Sequence, residues 1–359
     1  MSTAHPDLHA FGLTPAVTAL AAVHPSHMRL GRVVRSDRGM AFVATGEALV
    51  VARPSTRLIK SADDGALPVV GDWVLIGGDE SEPLVEVVLE RMTAIMRRDP
   101  GRSARVQVLA ANVDTVLVTH PLADEPNLSR IERELALVWD SGAQPVVVLT
   151  KADLSPDAEA ARSAVEGVSP GVDVHVTSTV DRDGIDELQE YLVGGGTIAL
   201  IGPSGSGKST LVNALAGEDI RATRDVRLSD GRGRHTTVSR ELIPLPGGGL
   251  VIDTPGLRAV GMWDSAEGLA QAFSDIEEFA ADCRFRDCRH EDEPGCAVRA
   301  AVEQGELPSR RLTSFRELQA EIAHVNAEID VRSRQEKKRE DKVQARAIKN
   351  YYKQGHGHR

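Results

Sequence analysis

Residues 202–209 read Gly-Pro-Ser-Gly-Ser-Gly-Lys-Ser, a match to Gly-x-x-x-x-Gly-Lys-Ser. A loop of this kind wraps a phosphate chain with backbone N–H groups, and its glycines keep side chains out of the way. Gly202, Pro203, Ser204, Gly205, Ser206 and Gly207 would form the cradle, with Thr210 in the helical turn that follows. Lys208 would meet the β- and γ-phosphates, and the Ser209 hydroxyl would ligate Mg2+. The flanks are those the chemistry requires. An apolar strand (residues 197–201) leads in and a helix from Leu211 leads out, its N-terminus adding a dipole that favours anions. A bland glycine–serine turn with an exposed lysine would need neither.

A phosphate cradle does not choose a base. Thr150-Lys151-Ala152-Asp153, directly after an apolar strand, can do so. A carboxylate at a strand's C-terminal end accepts both the N1–H and the exocyclic amine of guanine, and adenine lacks that pair of donors. Ser178, in the loop after the next strand, would lie beside the same base. Asp253, after the strand at 250–252, would reach Mg2+ through water, and the Gly256 N–H would face the γ-phosphate. Between cradle and Asp253 lies Gly231-Arg-Gly-Arg-His235-Thr236-Thr237, a polar loop. Thr237 there would complete the Mg2+ shell only when a γ-phosphate is present, which makes the loop a nucleotide sensor.

A second constellation, Cys283-x4-Cys288-x-His290-x5-Cys296, holds every cysteine of the chain. Three thiolates and an imidazole at this spacing suit one tetrahedral Zn2+, and four protein ligands leave no open position, so its role is structural. An odd, clustered trio of cysteines reads as a metal site in a reducing compartment rather than a disulfide framework. Arg284, Arg286 and Arg289 interleave with the ligands and either present cations to phosphate or are simply solvated.

These residues need a scaffold. The chain has 359 residues, enough for two or three domains, and its 41% hydrophobic content excludes wholesale disorder. The net charge of −11 argues against coating nucleic acid by bulk charge, yet residues 331–359 hold ten Lys/Arg against three Asp/Glu. No apolar run reaches the roughly 18–20 residues that span a bilayer, and the N-terminus lacks secretory organisation, so a cytoplasmic protein is expected. Residues 1–27 have weak periodicity and read as a flexible extension. Short strand-like runs over 28–104 predict a small β-barrel, an OB-fold in preference to an SH3-like one. Alternating strands and helices over 105–265, among them a helix at 184–192, predict an α/β sheet covered on both faces. From 266 to 330 the pattern is helical, with Leu312, Phe315, Leu318, Ile322, Val325 and Ile329 on one face, and the basic tail follows.

The motif order is unusual: Asp153 precedes Lys208, which precedes Asp253. Ordinary GTPases place the cradle first and the base-reading motif last, so the α/β domain looks circularly permuted. With this order and the segment CRFRDCRHEDEPGCAV, the chain resembles the RsgA (YjeQ) family of small-subunit ribosome biogenesis GTPases over residues 28–330. The resemblance implies an N-terminal OB-fold and GTP hydrolysis to GDP stimulated by the small ribosomal subunit. It further implies a role in late maturation of that subunit and contact with its rRNA. Expected cofactors are one structural Zn2+ per chain and Mg2+ with GTP, in a monomer without membrane attachment. Many GTPases place a water-orienting Gln after the Asp-x-x-Gly motif, whereas Leu257 stands here and can neither donate to water nor accept from it. His235 is the nearest suitable group, and the family's Gly-Arg-His-Thr-Thr loop points to it as well. Thr150 replaces the more common Asn, and the barrel's main aromatics are Phe42 and Trp73, few for stacking RNA bases. Two other readings remain at this stage: an RNA-binding zinc scaffold in which nucleotide is structural, and a P-loop ATPase or kinase.

Overall fold

A computed structural model describes residues 7–37, 39–61, 67–79, 81–98, 106–217, 240–253, 266–324 and 326–327. His235, Thr237, Gly256, Leu257 and the basic tail lie outside the described residues, as does the side chain of Asp253.

The N-terminal segment departs from expectation. Helix α1 (Pro15–Ala22) starts on Thr14, whose hydroxyl accepts the Val17 N–H at 3.3 Å, with Pro15 at the first helical position. Val17 packs with Trp73, Leu75 and Leu89, so residues 7–27 clothe the barrel instead of trailing from it. Only one residue of α1 is fully buried, which is why its periodicity is faint. The Thr-Pro cap was the signal available.

Strands β1 (Arg29–Asp37), β2 (Met40–Thr45) and β3 (Leu49–Pro54), helix α2 (Thr56–Ser61), then β4 (Trp73–Asp79) and β5 (Glu82–Val88) follow in order. They pair as β1-β2-β3-β5-β4, and β4 returns to β1, with β3 and β5 parallel. That closure is the five-stranded OB barrel, not the SH3-like alternative. A bulge between Val33 and Arg35 helps β1 bend around it, and Val33, Val43, Val74 and Val85 fill its interior. A hairpin comes next, β6 (Ala94–Arg98) with β7 (Val106–Ala111). Its Ile95 and Leu109 join the α/β core, so the hairpin straddles the expected boundary at 104/105.

The second sheet is built from β8 (Thr115–Pro121), β9 (Gln144–Thr150), β10 (Asp173–Val176), β11 (Thr197–Ile201), β12 (Glu241–Pro244) and β13 (Leu250–Asp253). Its order is β10-β9-β8-β11-β13-β12, with only β12 antiparallel. β8, β9 and β11 are almost wholly buried, as parallel strands covered on both faces must be. Helices α3 (Leu128–Asp140), α4 (Ala158–Glu166) and α5 (Lys208–Ala216) connect or follow these strands. The helix expected over 184–192 is instead a run of 3-10 turns, Asp186–Gly195, kinked at Val193–Gly194. Three successive glycines, 194–196, must deliver the chain into β11 immediately, so the segment cannot extend as an α-helix. β12 also pairs with β1, Glu241 opposite Arg35, and the barrel and α/β sheet are thereby one continuous sheet.

The C-terminal part comprises α6 (Ala266–Ala272), α7 (Ser274–Ala280), α8 (Ala297–Gln304) and a helix α9 over residues 309–324. Leu312, Phe315, Leu318 and Ile322 are buried as expected, whereas Val325 and Ile329 lie outside the described residues. α6 touches α3 backbone to backbone: a Cβ on Gly268 would stand 2.3 Å from the Ala136 carbonyl oxygen.

Two buried arginines tie these parts together. Arg32, on β1, donates to the carbonyls of Phe11, Gly71 and Asn112 and to the Thr197 hydroxyl. Burial lowers its pKa to about 10 against the pull of Asp114 and Asp72, still charged at neutral pH. Arg311, on α9, bonds both oxygens of Asp275 on α7, the Glu132 carboxylate on α3, and the Val168 and Ala272 carbonyls. Among the described residues no helix is long and apolar enough to cross a membrane.

Candidate nucleotide site and metal centre

The phosphate-loop sequence turns at the C-terminal end of β11 and enters α5. Gly207 caps the helix in the left-handed region (φ 81°), and Gly205 shares that conformation (φ 82°). Gly202 cannot carry a side chain, since a Cβ there would lie 2.2 Å from the Thr119 carbonyl oxygen. Ser204 and Gly205 are exposed at the tip, and Ser206 is buried beneath them. The first N–H groups of α5 have no acceptor within the helix, which leaves the turn at Lys208–Thr210 suited to an anion.

Hydrogen bonds fix the loop's base in one direction. The Lys208 ammonium donates to the Gly202 and Pro203 carbonyls at 2.9 and 2.6 Å and to the Ser206 hydroxyl at 3.1 Å. The Thr119 hydroxyl donates to the Ile201 carbonyl at 2.9 Å, so its 2.7 Å contact with Ser206 must be a donation from Ser206. Lysine, serine and threonine thus form a relay ending on β11, each bond polarising the next.

The Thr150–Asp153 turn leaves β9 at the same sheet edge. The Thr150 hydroxyl donates to the Ser206 carbonyl at 2.8 Å, and Lys151 adopts the left-handed conformation (φ 59°). The Ala152 N–H reaches the Thr177 carbonyl at 3.1 Å, joining this turn to the loop that carries Ser178. The Ser178 hydroxyl lies 3.0 Å from Asp153 Oδ1 and 3.0 Å from Asp181 Oδ2, and it accepts the Asp181 N–H at 3.1 Å. Exposed apolar side chains stand in both loops, Leu154 and Val180. The backbone of Asp253 ends β13, the strand beside β11, at that same edge.

In the second constellation the ligand atoms of Cys283, Cys288, His290 and Cys296 lie within 4.8 Å of one another. Cys283 Sγ and Cys296 Sγ are 3.9 Å apart, and His290 Nδ1 is 3.6 and 3.5 Å from them. Zn–S bonds of about 2.3 Å and a Zn–N bond of about 2.1 Å give tetrahedral edges of about 3.8 and 3.6 Å, so the residues fit that ion. Burial works to raise the Cys283 thiol, but the Val298 and Ala297 amides and the neighbouring thiols outweigh it, and its pKa is lowered. Burial lowers His290, opposed by Glu277 and Glu293, and keeps the imidazole in the neutral form that ligates metals. His290 packs against Phe315, and Arg284, Arg286 and Arg289 are exposed around the cluster.

Phe42 and Trp73 are not open to solvent as a stacking platform. Arg35 lies over the Phe42 ring at 3.8 Å, and Trp73 is buried against α1 with Arg32 over its ring at 5.3 Å. Sequence reasoning missed Thr119, Asp181, Arg32 and Arg311. None belongs to a motif; Thr119, Arg32 and Arg311 acquire their partners only through the tertiary fold, whereas Asp181 bonds Ser178 three residues away within one loop.

A family model described as RsgA GTPase matches residues 88–263, and one described as 50S ribosome-binding GTPase matches residues 197–337. Small ribosomal subunit biogenesis GTPase RsgA of Streptomyces coelicolor is 48% identical over 318 residues, covering 87% of this chain and 85% of its own. RsgA 2 of Lactiplantibacillus plantarum is 42% identical over 320 residues, covering 89% and 90%. The crystal structure of YjeQ from Thermotoga maritima superposes with a TM-score of 0.62 at 27% identity, covering 82% of this chain and 99% of that one. YloQ, described as a circularly permuted GTPase, gives a TM-score of 0.61 at 28% identity, covering 84% and 97%.

Proposed function

Because the chain belongs to the RsgA GTPase family, we propose that it hydrolyses GTP to GDP and phosphate on the small ribosomal subunit and assists that subunit's late maturation. Its relatives are named small ribosomal subunit biogenesis GTPases. One observation carries the extension to this chain's residues: Thr150, in the base-reading turn, donates a hydrogen bond to Ser206 in the phosphate loop. Asp153 and Lys208 thereby belong to adjoining loops at one sheet edge, as the two ends of a bound guanosine triphosphate require.

On this reading Asp153 pairs with the guanine N1–H and exocyclic amine, with Thr150, Lys151 and Ser178 around it. Gly202–Gly207 and Thr210 wrap the phosphates, while Lys208 leaves its loop carbonyls for the β- and γ-phosphates. Mg2+ arriving with the nucleotide offsets phosphate charge, and Ser209, Thr237 and, through water, Asp253 would hold it. The Gly256 N–H faces the γ-phosphate, and His235 orients the attacking water. Cys283, Cys288, His290 and Cys296 hold one Zn2+, which fixes the fold of the segment that carries them. The working parts are the barrel (28–104), the permuted GTPase domain (105–265) and the zinc domain (266–330), with the hairpin at 94–111 as the joint. The tail at 331–359 supplies salt-sensitive contact with rRNA. The protein acts in the cytoplasm as a monomer.

Two measurements test this. Purified small subunits should raise GTP turnover, which a nucleotide-stabilised scaffold would not show. Asp153→Asn should weaken GTP and improve xanthosine triphosphate, whose 2-oxo group accepts from the new amide. Unchanged GTP preference would remove Asp153 from the site.

A further inference from the structure

The Ser178 hydroxyl has one proton and two carboxylates to give it to. Asp153 Oδ1 and Asp181 Oδ2 each lie 3.0 Å from Ser178 Oγ, which meanwhile accepts the Asp181 N–H. A hydroxyl donates once, so at any moment one of these contacts is a hydrogen bond and the other sets two oxygens face to face. Ser178 is buried, 2% exposed, and its backbone is fixed by paired hydrogen bonds with Asp183. Its main chain is thereby held where both carboxylates are within reach of its hydroxyl. Both carboxylates are exposed, so neither is held in place by packing.

We propose that Asp181 is a positioning residue that competes with Asp153 for the Ser178 proton and thereby holds guanine-nucleotide affinity down. The proposal rests on the reading that Asp153 binds the base. A bidentate contact to guanine needs the carboxylate plane fixed. When Ser178 donates to Asp153, that plane is set before the base arrives. When it donates to Asp181, Asp153 is free to rotate and must be ordered on binding, at the entropic cost of immobilising one side chain. Asp181 also places a second negative charge within reach of the same hydroxyl, but in solvent that field is screened, and the orientational effect decides the sign.

The test uses the full-length protein and the dissociation constants of GTP and GDP, measured by calorimetry. Asp181→Asn puts a weaker, neutral acceptor beside Ser178, and Asp181→Ala deletes the acceptor. Both should tighten GTP and GDP alike, by about threefold, with the change in KM rather than kcat. Ser178→Ala should weaken binding, and adding either Asp181 change to it should then have no further effect. Simple damage to the loop could only weaken binding. Failure of both Asp181 variants to tighten binding, or equal tightening without Ser178, would overturn the competition. Asp153→Asn run in parallel separates the two levels. If it switches preference to xanthosine triphosphate while the Asp181 variants are silent, only the competition falls. If it leaves GTP preference intact, the base reading and the competition fall together.

Discussion

Replacing Arg311 with methionine severs the joint between α9 and the GTPase sheet's helix α3, and its cost can be worked from the contacts. Arg311 is fully buried, and so is the Glu132 side chain it meets at 2.8 Å, whereas Asp275 is 29% exposed. Breaking a buried ion pair by removing one partner costs about 3–5 kcal/mol, chiefly because a charge is stranded. Here the stranding is incomplete: Glu132 keeps Arg310 at 2.8 Å and the Ser314 hydroxyl at 2.6 Å, and Asp275 can rehydrate. The Val168 and Ala272 carbonyls lose donors as well, each worth about 1 kcal/mol. These terms place the loss near the lower end, about 3 kcal/mol. With a urea slope of about 3 kcal/mol/M, the midpoint should fall by about 1 M. Urea titration followed by tryptophan fluorescence and by metal release from the cysteine cluster monitors the unfolding. Arg133→Met is the control, since its pair with Glu321 is 45% and 35% exposed and should contribute below about 1 kcal/mol. Equal, small effects from the two variants would refute the argument that burial makes this joint.

Three further outcomes follow from the site and its supports. Elemental analysis should return about one Zn per chain, and Cys288→Ser should lower it and loosen the His290–Phe315 packing; a folded, metal-free protein would refute the cluster assignment. Lys208→Ala should abolish subunit-stimulated turnover, and His235→Ala should cut it by about 10²–10⁴-fold if the imidazole orients water. A loss within about twofold for the histidine variant would exclude it from that step. Gly268→Ala should push α6 off α3, because the new methyl would meet the Ala136 carbonyl oxygen at 2.3 Å; thermal unfolding at wild-type temperature would show that the helices can part without loss.

The phosphate loop was legible because its chemistry dictates backbone conformation. Positive φ at Gly205 and Gly207 and the absence of room at Gly202 leave glycine as the fitting residue, and that constraint is written in the spacing. The cysteine cluster was legible for a similar reason, its ligands being neighbours in sequence. Thr119 was not, because strand pairing brings it to partners 82 and 87 residues away. Arg32 and Arg311 were invisible on other grounds. An arginine is assigned to the surface by default, and only an assembled set of carbonyls and carboxylates reverses that. The β6–β7 hairpin escaped notice because its strands are only five and six residues long and the first ends in two arginines, and β12 because four residues are too few to show a period.

Permutation has a topological consequence that the sheet order makes explicit. If the chain began at the cradle, β11, β12 and β13 would come first, and the segment after β13 would have to return into β8, tied to the sheet at both ends. In this chain β8 is instead entered from the β6–β7 hairpin, and the segment after β13 runs on to α6, which presses on α3. The segment before β12, which carries His235 and Thr237, enters the strand whose Glu241 pairs with Arg35 of the barrel. Each of the two segments flanking the β12–β13 hairpin is therefore one element away in the chain from a different appended unit. β8, β9 and β11, at whose C-terminal ends the proposed nucleotide loops lie, are by contrast the most completely buried strands among the described residues.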